Sequence, residues 1–185
     1  MSKYLRAPRK KDEISSKDQP VTKIQDLDDL IAYMESLTPE ITFRQNFLQF
    51  KTKNNELAFY LLEELEKYKL SGVVPLDQSP SQHLEHIMPR SLSRAKNRQG
   101  EWNKVRDLES YNDYKFRLGN LLILESEINQ RASNRDFEFK KSCYVDSGLH
   151  YPIKITEIED WNFEKIEERQ KDMAEDALLI WNYEN

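Results

Sequence analysis

The sequence predicts an α+β protein that is mostly α-helical, with a small β-hairpin plus helix as its core, an N-terminal helical arm and a long C-terminal helix. Two observations predict this class. Apolar residues recur at helical spacing over long stretches near both ends of the chain. Two short apolar segments in the middle do not follow that spacing and are typical of strands. We therefore expect a charged lead and helical arm at residues 1–78 and a second domain at residues 79–185.

Three helices are predicted in the arm, after a charged and flexible lead at residues 1–20. The first runs from Lys23 to Leu37 and is closed by Pro39, and the second spans Ile41 to Phe50. The third spans Asn55 to Leu70 and is capped by Gly72. Its apolar face is expected to contain Leu57, Leu61, Leu65 and Tyr68.

The predicted hairpin follows a stretch at residues 72–80 that contains one glycine and two prolines, which marks a boundary. His83 to Ile87 is too short for a helix and ends two residues before Pro89. Arg117 to Leu124 is an apolar run around a single glycine. We expect these two segments to be paired strands.

Helices are expected over most of the remaining chain. Ser126 is expected to cap a short helix through Arg131, and Ser133 or Asn134 to start another that reaches Tyr144. The tail from residue 160 to residue 183 has the spacing of a long amphipathic helix. The core is expected to include Phe139, Trp161 and Trp181, and the loop before Pro152 to include a structural His150.

Charge is distributed unevenly along the 185 residues, whose net charge is -5. Residues 86–141 carry a net charge of +4 and residues 142–185 carry -7, so a polyanion is attracted to the middle of the chain. No apolar run approaches the roughly 20 residues of a membrane span, and no secretory signal precedes the arm, so we expect a cytoplasmic protein without a membrane partner. Cys143 is the only cysteine, which excludes an internal disulfide and a cysteine-rich zinc ribbon within this chain.

The candidate site residues lie in three segments, His83-Leu84-Glu85-His86-Ile87-Met88-Pro89, then Gly119-Asn120-Leu121, and then Asn129. Together they supply a base, a carboxylate and two amides, a set that suits metal-assisted cleavage of a phosphodiester. Two histidines three residues apart also suit a zinc site on a helix, but Pro89 disfavours a helix there. The histidine spacing differs from the motifs of zinc peptidases.

Glu85-His86-Ile87-Met88-Pro89 resembles the first strand of His-Asn-His (HNH) endonucleases, also called His-Me finger or ββα-metal nucleases, which ends in Asp/Glu-His-Ile-x-Pro. The later residues resemble the C-terminal nuclease domain of GmrSD-type modification-dependent restriction endonucleases; they are Leu118 to Leu124, Asn129, Ser133, Asn134, Phe137, Lys140, Lys141 and Tyr144. The resemblance covers roughly residues 80–183. It implies that residues 79–185 form an HNH-type (ββα-metal) nuclease domain that cleaves DNA in restriction or phage defence.

The resemblance also implies a role for each matching residue. His86 is the general base, Glu85 and Asn129 bind one Mg²⁺ or Mn²⁺ ion, and Asn120 holds the catalytic loop. Asn129 stands where some members have a third histidine, and Glu85 stands where many have aspartate. The longer side chain of Glu85 changes its reach by one methylene, which bears on metal preference.

A second group of candidates either supports the site or contacts phosphate: His83, Arg131, Asn134, Lys140 and Lys141. Support of the hairpin is the alternative for His83, and a solvated helix face is the alternative for the basic residues. The expected partners are DNA and, by the resemblance, a nucleotide-hydrolysing sensor module upstream or in a separate protein. The alternative function is a catalytically inactive nucleic-acid-binding or protein-interaction domain.

Overall fold

The computed structural model describes residues 40–71, 81–92, 101–105 and 109–181. The elements in chain order are α1 (Glu40–Leu48), α2 (Asn55–Lys69), β1 (Gln82–His86), α3 (Tyr111–Tyr114), β2 (Leu121–Glu125), α4 (Ser126–Ala132), α5 (Phe137–Tyr144), α6 (His150–Thr156) and α7 (Phe163–Ile180). Short 3-10 turns occur at Glu101–Lys104 and Leu118–Asn120. The predicted class, a mostly helical α+β fold with a small strand pair and a long C-terminal helix, is confirmed.

The two strands pair antiparallel, with Glu85 opposite Leu122 and His86 opposite Leu121. All of β2 except its last residue is buried, while β1 is exposed at His83 and buried at Glu85. The prediction that a strand begins at Arg117 is wrong. Residues 118–120 form a 3-10 turn instead, because the chain there bends to pack against α7.

Helix α2 begins at a side-chain cap, where Asn54 accepts hydrogen bonds from two backbone N–H groups of the first turn. Its buried residues are Ala58, Leu62, Leu65 and Glu66. The predicted apolar face is therefore wrong at two positions, since Leu57 is 40% exposed and Tyr68 is 42% exposed. The helix is rotated from the predicted face so that Glu66 points inward, which hydrophobic spacing alone does not indicate.

Glu66 joins α2 to the start of α6. Its two carboxylate oxygens accept hydrogen bonds from the backbone N–H groups of His150 and Tyr151, each at 2.9 Å. The first N–H groups of a helix have no partner within the helix, so this carboxylate satisfies them. His150 is consequently the first residue of α6, and the prediction that it lies in a loop is wrong. Pro152 is tolerated in the first turn of a helix, which explains why it did not mark a loop.

The starts of α4 and α5 also differ from the prediction. Ser126 is the first residue of α4 and makes no capping hydrogen bond, so its predicted cap role is wrong. Helix α5 begins at Phe137, three residues after Asn134. Ser133 has a φ of 44°, which interrupts the helical conformation there. Phe139 is 40% exposed rather than in the core, with the guanidinium of Arg135 4.3 Å from the centre of its ring.

Helix α7 connects the N-terminal helices to the turn before β2. Gln170 donates to the carbonyls of Phe47 and Phe50 at 2.6 and 2.9 Å, and its own carbonyl accepts from the N–H of Gly119 at 3.1 Å. Arg169 donates to the carbonyls of Gly119 and Leu121 at 2.6 and 2.9 Å. Both side chains are buried, so α7 fixes the turn with polar contacts inside the core.

The predicted amphipathic face of α7 is confirmed by its buried residues, which include Ile166, Met173 and Ala177. Trp161 just before the helix is buried, and Trp181 just after it is half-buried against the same core. The core also contains Phe47 and Leu62 from the arm.

Some predictions concern other parts of the chain. Three predictions lie outside the described residues: the helix from Lys23 to Leu37, the cap at Gly72 and the division between residues 78 and 79. The division into two units stays a prediction. Cys143 is buried as a free thiol. In the ranges that the structure describes, every helix is too short or too polar to cross a membrane.

Substitution of Gly119 by alanine is expected to destabilise the protein. A Cβ atom at residue 119 would lie 2.2 Å from the backbone oxygen of Ile166, so α7 would have to move away from the turn. We expect a loss of about 1–3 kcal/mol in the free energy of unfolding, measured by urea denaturation. Gly148→Ala is the control, because its added Cβ meets only Glu125 at 3.7 Å. Equal stability of the two variants would contradict the packing described for α7.

Candidate active site

The side chain of Asn120 holds the segment that follows His86. Its Oδ1 accepts from the backbone N–H of Met88 at 2.8 Å and from the indole N–H of Trp161 at 3.0 Å. Its Nδ2 donates to the carbonyl of Met88 at 2.9 Å and to that of Lys115 at 3.2 Å. Four hydrogen bonds use the full capacity of a carboxamide, and Asn120 is fully buried.

His86 is the last residue of β1 and is half-buried. Its ring meets Phe116 edge-on, with 6.1 Å between the ring centres. Burial lowers the pKa of His86 to about 4, and the positive charges of Arg90, Lys140 and Lys115 act in the same direction. The imidazole is therefore neutral at neutral pH, which is the form that can accept a proton.

Glu85 points in the opposite direction, into the core. Its Oε1 accepts a hydrogen bond from the hydroxyl of Tyr144 at 3.0 Å and forms an ion pair with Lys140. Lys140 is fully buried and also donates to the backbone carbonyl of His86 at 2.7 Å. Burial raises the pKa of Glu85 and lowers that of Lys140, while the attraction between the two charges opposes both shifts. This pair fixes the carboxylate at the end of β1.

Asn129 lies on α4, which packs against both strands. The residue is half-buried. Among the hydrogen bonds of the described residues, none joins its side chain to Glu85 or His86. The structure thus places Glu85 and His86 at adjacent positions of β1 with their side chains in opposite directions, Asn120 against the segment after His86, and Asn129 on the neighbouring helix.

The side chains of Glu85 and Asn129 match a hard divalent cation in donor type, although Lys140 and Tyr144 occupy the Glu85 carboxylate in this structure. Glu85 supplies a carboxylate and Asn129 an amide, the ligand types that Mg²⁺ and Mn²⁺ prefer. Mg²⁺ keeps several waters and takes only one or two protein carboxylates besides phosphate oxygens, so a small donor set suffices. The described ranges contain no group of three or more His, Cys, Asp or Glu side chains that could hold an ion. A zinc site of the kind that peptidases use therefore has no ligand set there.

Among the hydrogen bonds and ion pairs of the described residues, most of the second group of candidates makes no contact with Glu85 or His86. Arg131 pairs with Asp146 at 2.6 Å, and Lys141 pairs with Glu138 at 2.8 Å. His83 and Asn134 are exposed. Only Lys140 reaches the candidate site, where it contacts Glu85 and the backbone of His86.

Sequence reasoning missed several residues that build the site. Trp161 was expected only in the core, yet its indole N–H binds Asn120. A buried indole needs a hydrogen-bond acceptor, which was the available signal. Arg169 and Gln170 gave no signal, because charged and amide residues on a long helix usually face solvent.

The model of the C-terminal domain of GmrSD restriction endonucleases matches residues 38–176. The chain belongs to this family. Membership in the GmrSD C-terminal domain family confirms the resemblance predicted from the sequence and identifies a nuclease domain of the restriction endonuclease type. The matched region includes α1 and α2. A comparison with curated proteins finds no match.

In this GmrSD C-terminal domain, substitution of Lys140 by methionine is expected to destabilise the fold, because it leaves the carboxylate of Glu85 buried without its partner. Removal of one member of a buried ion pair costs about 3–5 kcal/mol, which urea denaturation would measure. Glu85→Gln combined with Lys140→Met should recover part of the loss. The control is Lys141→Met on the same helix, whose partner Glu138 is 82% exposed, with an expected loss of at most about 1 kcal/mol. Equal stability of the Lys140 and Lys141 variants would contradict the buried pair.

Proposed function

We propose that this domain is a metal-dependent DNA endonuclease of the HNH type, in which His86 removes a proton from the water that attacks the phosphorus. The observation that carries the proposal is the position of a neutral, half-buried imidazole at the end of β1, held by Asn120 through the following segment. A general base must be unprotonated and fixed in place. Family membership supports a nuclease and a divalent metal requirement in general.

Each residue has one task in this reaction. His86 accepts the proton of the attacking water as the new P–O bond forms and the bond from phosphorus to the 3′ oxygen breaks. The leaving 3′ oxygen takes a proton from solvent, so the products carry 5′-phosphate and 3′-hydroxyl ends. Asn120 holds Met88 and thereby the chain beside His86. Bound by Glu85 and Asn129, Mg²⁺ or Mn²⁺ would supply positive charge for the scissile phosphate and the leaving oxygen.

The wider setting follows from the same family. Restriction of phage or other foreign DNA is the proposed context, and a nucleotide-hydrolysing sensor module, in the same chain or in a partner, is the proposed source of target selection. The rival function is an inactive nucleic-acid-binding or protein-interaction domain. Its support is the acidic net charge of the chain, -5.

The direct test of catalysis is the variant His86→Ala. We expect it to lose nicking of supercoiled plasmid in Mn²⁺ by a factor of at least about 100, because general base catalysis contributes that much or more. Its melting temperature should stay close to that of the parent. His150→Ala is the matched control, since its imidazole lies on α6. If the His86 variant nicks plasmid as fast as the parent, the mechanism is wrong.

Metal binding is tested without any cleavage. Asn129→Ala is expected to weaken Mn²⁺ binding at least about tenfold in a calorimetric titration, because even residues that only orient a ligand have effects of this size. Gln130→Ala on the same helix is the control, since its amide donates to Ser126 and to no other group among the described residues. Unchanged Mn²⁺ affinity in the Asn129 variant would exclude that residue as a ligand. DNA binding that depends on salt but is the same with and without Mn²⁺ would favour the inactive binding module.

A further inference from the structure

Lys53 and Lys115, from separate parts of the chain, lie against the ring of Phe116, and the charge of Arg90 acts on Lys115 and on the imidazole of His86. Lys53 precedes the cap of α2, Arg90 follows Pro89 after β1, and Lys115 follows α3. The ammonium groups of Lys53 and Lys115 lie 5.4 and 5.3 Å from the centre of the Phe116 ring. We call Lys53, Arg90 and Lys115 the Phe116 cation cluster.

The cluster is next to the candidate general base. Phe116, which carries two of its cations, also meets the imidazole of His86 edge-on. Arg90 lies close enough for its charge to act on both His86 and Lys115. The cluster and the imidazole therefore belong to one surface, which the chain builds from the arm, the end of β1 and the segment after α3.

No carboxylate balances these charges within the described residues. None of the three cations forms an ion pair there, and the hydrogen-bond partner of Lys115 is the neutral amide of Asn112 at 3.0 Å. Lys51 shows the contrast, because it pairs with Asp113 at 2.8 Å. After burial, the positive charges of Lys53 and Arg90 lower the pKa of Lys115 further. Cations gathered without counter-charges create a positive potential that attracts anions.

The other basic candidates are already engaged. Arg131 and Lys141 pair with carboxylates, and Lys140 is buried against Glu85. Water alone can satisfy an exposed cation, so exposure by itself does not distinguish the cluster from other basic side chains on the surface. Its distinguishing features are the absence of counter-charges among the described residues and its position beside His86.

We propose that Lys53, Arg90 and Lys115 bind the backbone phosphates of duplex DNA on either side of the phosphate that faces His86. The inference rests on the proposed endonuclease function and adds the residues that hold the substrate. One of them belongs to the segment before α2, so the arm takes part in the substrate site. The contacts carry no base information, because phosphates are common to all sequences.

The test measures binding of a short fluorescent DNA duplex in EDTA over a range of NaCl concentrations. Three variants test the cluster: Lys53→Gln, Arg90→Gln and Lys115→Gln. Each should weaken DNA binding severalfold and reduce the slope of log affinity against log salt by about 0.9, the value for one phosphate contact. Lys154→Gln is the control with the same change of net charge, since Lys154 lies on α6 and pairs with Glu157. Lys53→Arg and Lys115→Arg keep the positive charge and should therefore show the parental slope. If the glutamine variants had simply lost the fold, keeping the charge at these positions would not restore it.

The outcomes separate this inference from the proposed function. If the parent nicks plasmid in Mn²⁺ but the three glutamine variants keep its salt slope, the phosphate contacts are wrong and the nuclease function stands. If the slopes fall but the parent never nicks, the contacts stand and the catalysis is wrong. Tighter binding of an RNA of equal length, or no measurable binding of DNA by the parent, overturns the inference.

Discussion

The side-chain amide of Asn120 is the constraint on which the rest of the structure depends. A carboxamide in a dry interior is stable only when both its donors and its acceptor are satisfied, and here Met88, Lys115 and Trp161 together achieve this. Asn120 belongs to the turn before β2, which lies against α7. The lack of a side chain at Gly119 permits that approach.

The strand β1 separates two electrostatic environments over two consecutive residues. Side chains alternate between the faces of a strand, so Glu85 and His86 point in opposite directions. Glu85 meets an ammonium and a hydroxyl in the interior, whereas His86 meets an aromatic ring and is influenced by several cations. One short strand thus supplies an inward carboxylate and an outward imidazole.

The parts of the fold that local pattern controls were predictable from the sequence. Helical spacing identified α2 and α7, and the short apolar runs identified the strand pair. The parts that depend on tertiary contacts were not. The inward rotation of α2 depends on Glu66 reaching α6, and the burial of Lys140 depends on Glu85, which lies 55 residues earlier in the chain. Motif resemblance named His86, Asn120 and Glu85, but spacing carries no information about which lysine remains unpaired beside them.

The buried contact between Glu85 and Lys140 has a consequence for the approach of DNA. A bare carboxylate at the end of β1 would repel an incoming polyanion at short range, where electrostatic screening by salt is weakest. With an internal ammonium against it, that carboxylate forms a neutral unit with Lys140, and the repulsion is largely cancelled before any ion arrives. The interior of the protein thereby removes an obstacle that the surface would otherwise have to overcome with additional positive charge.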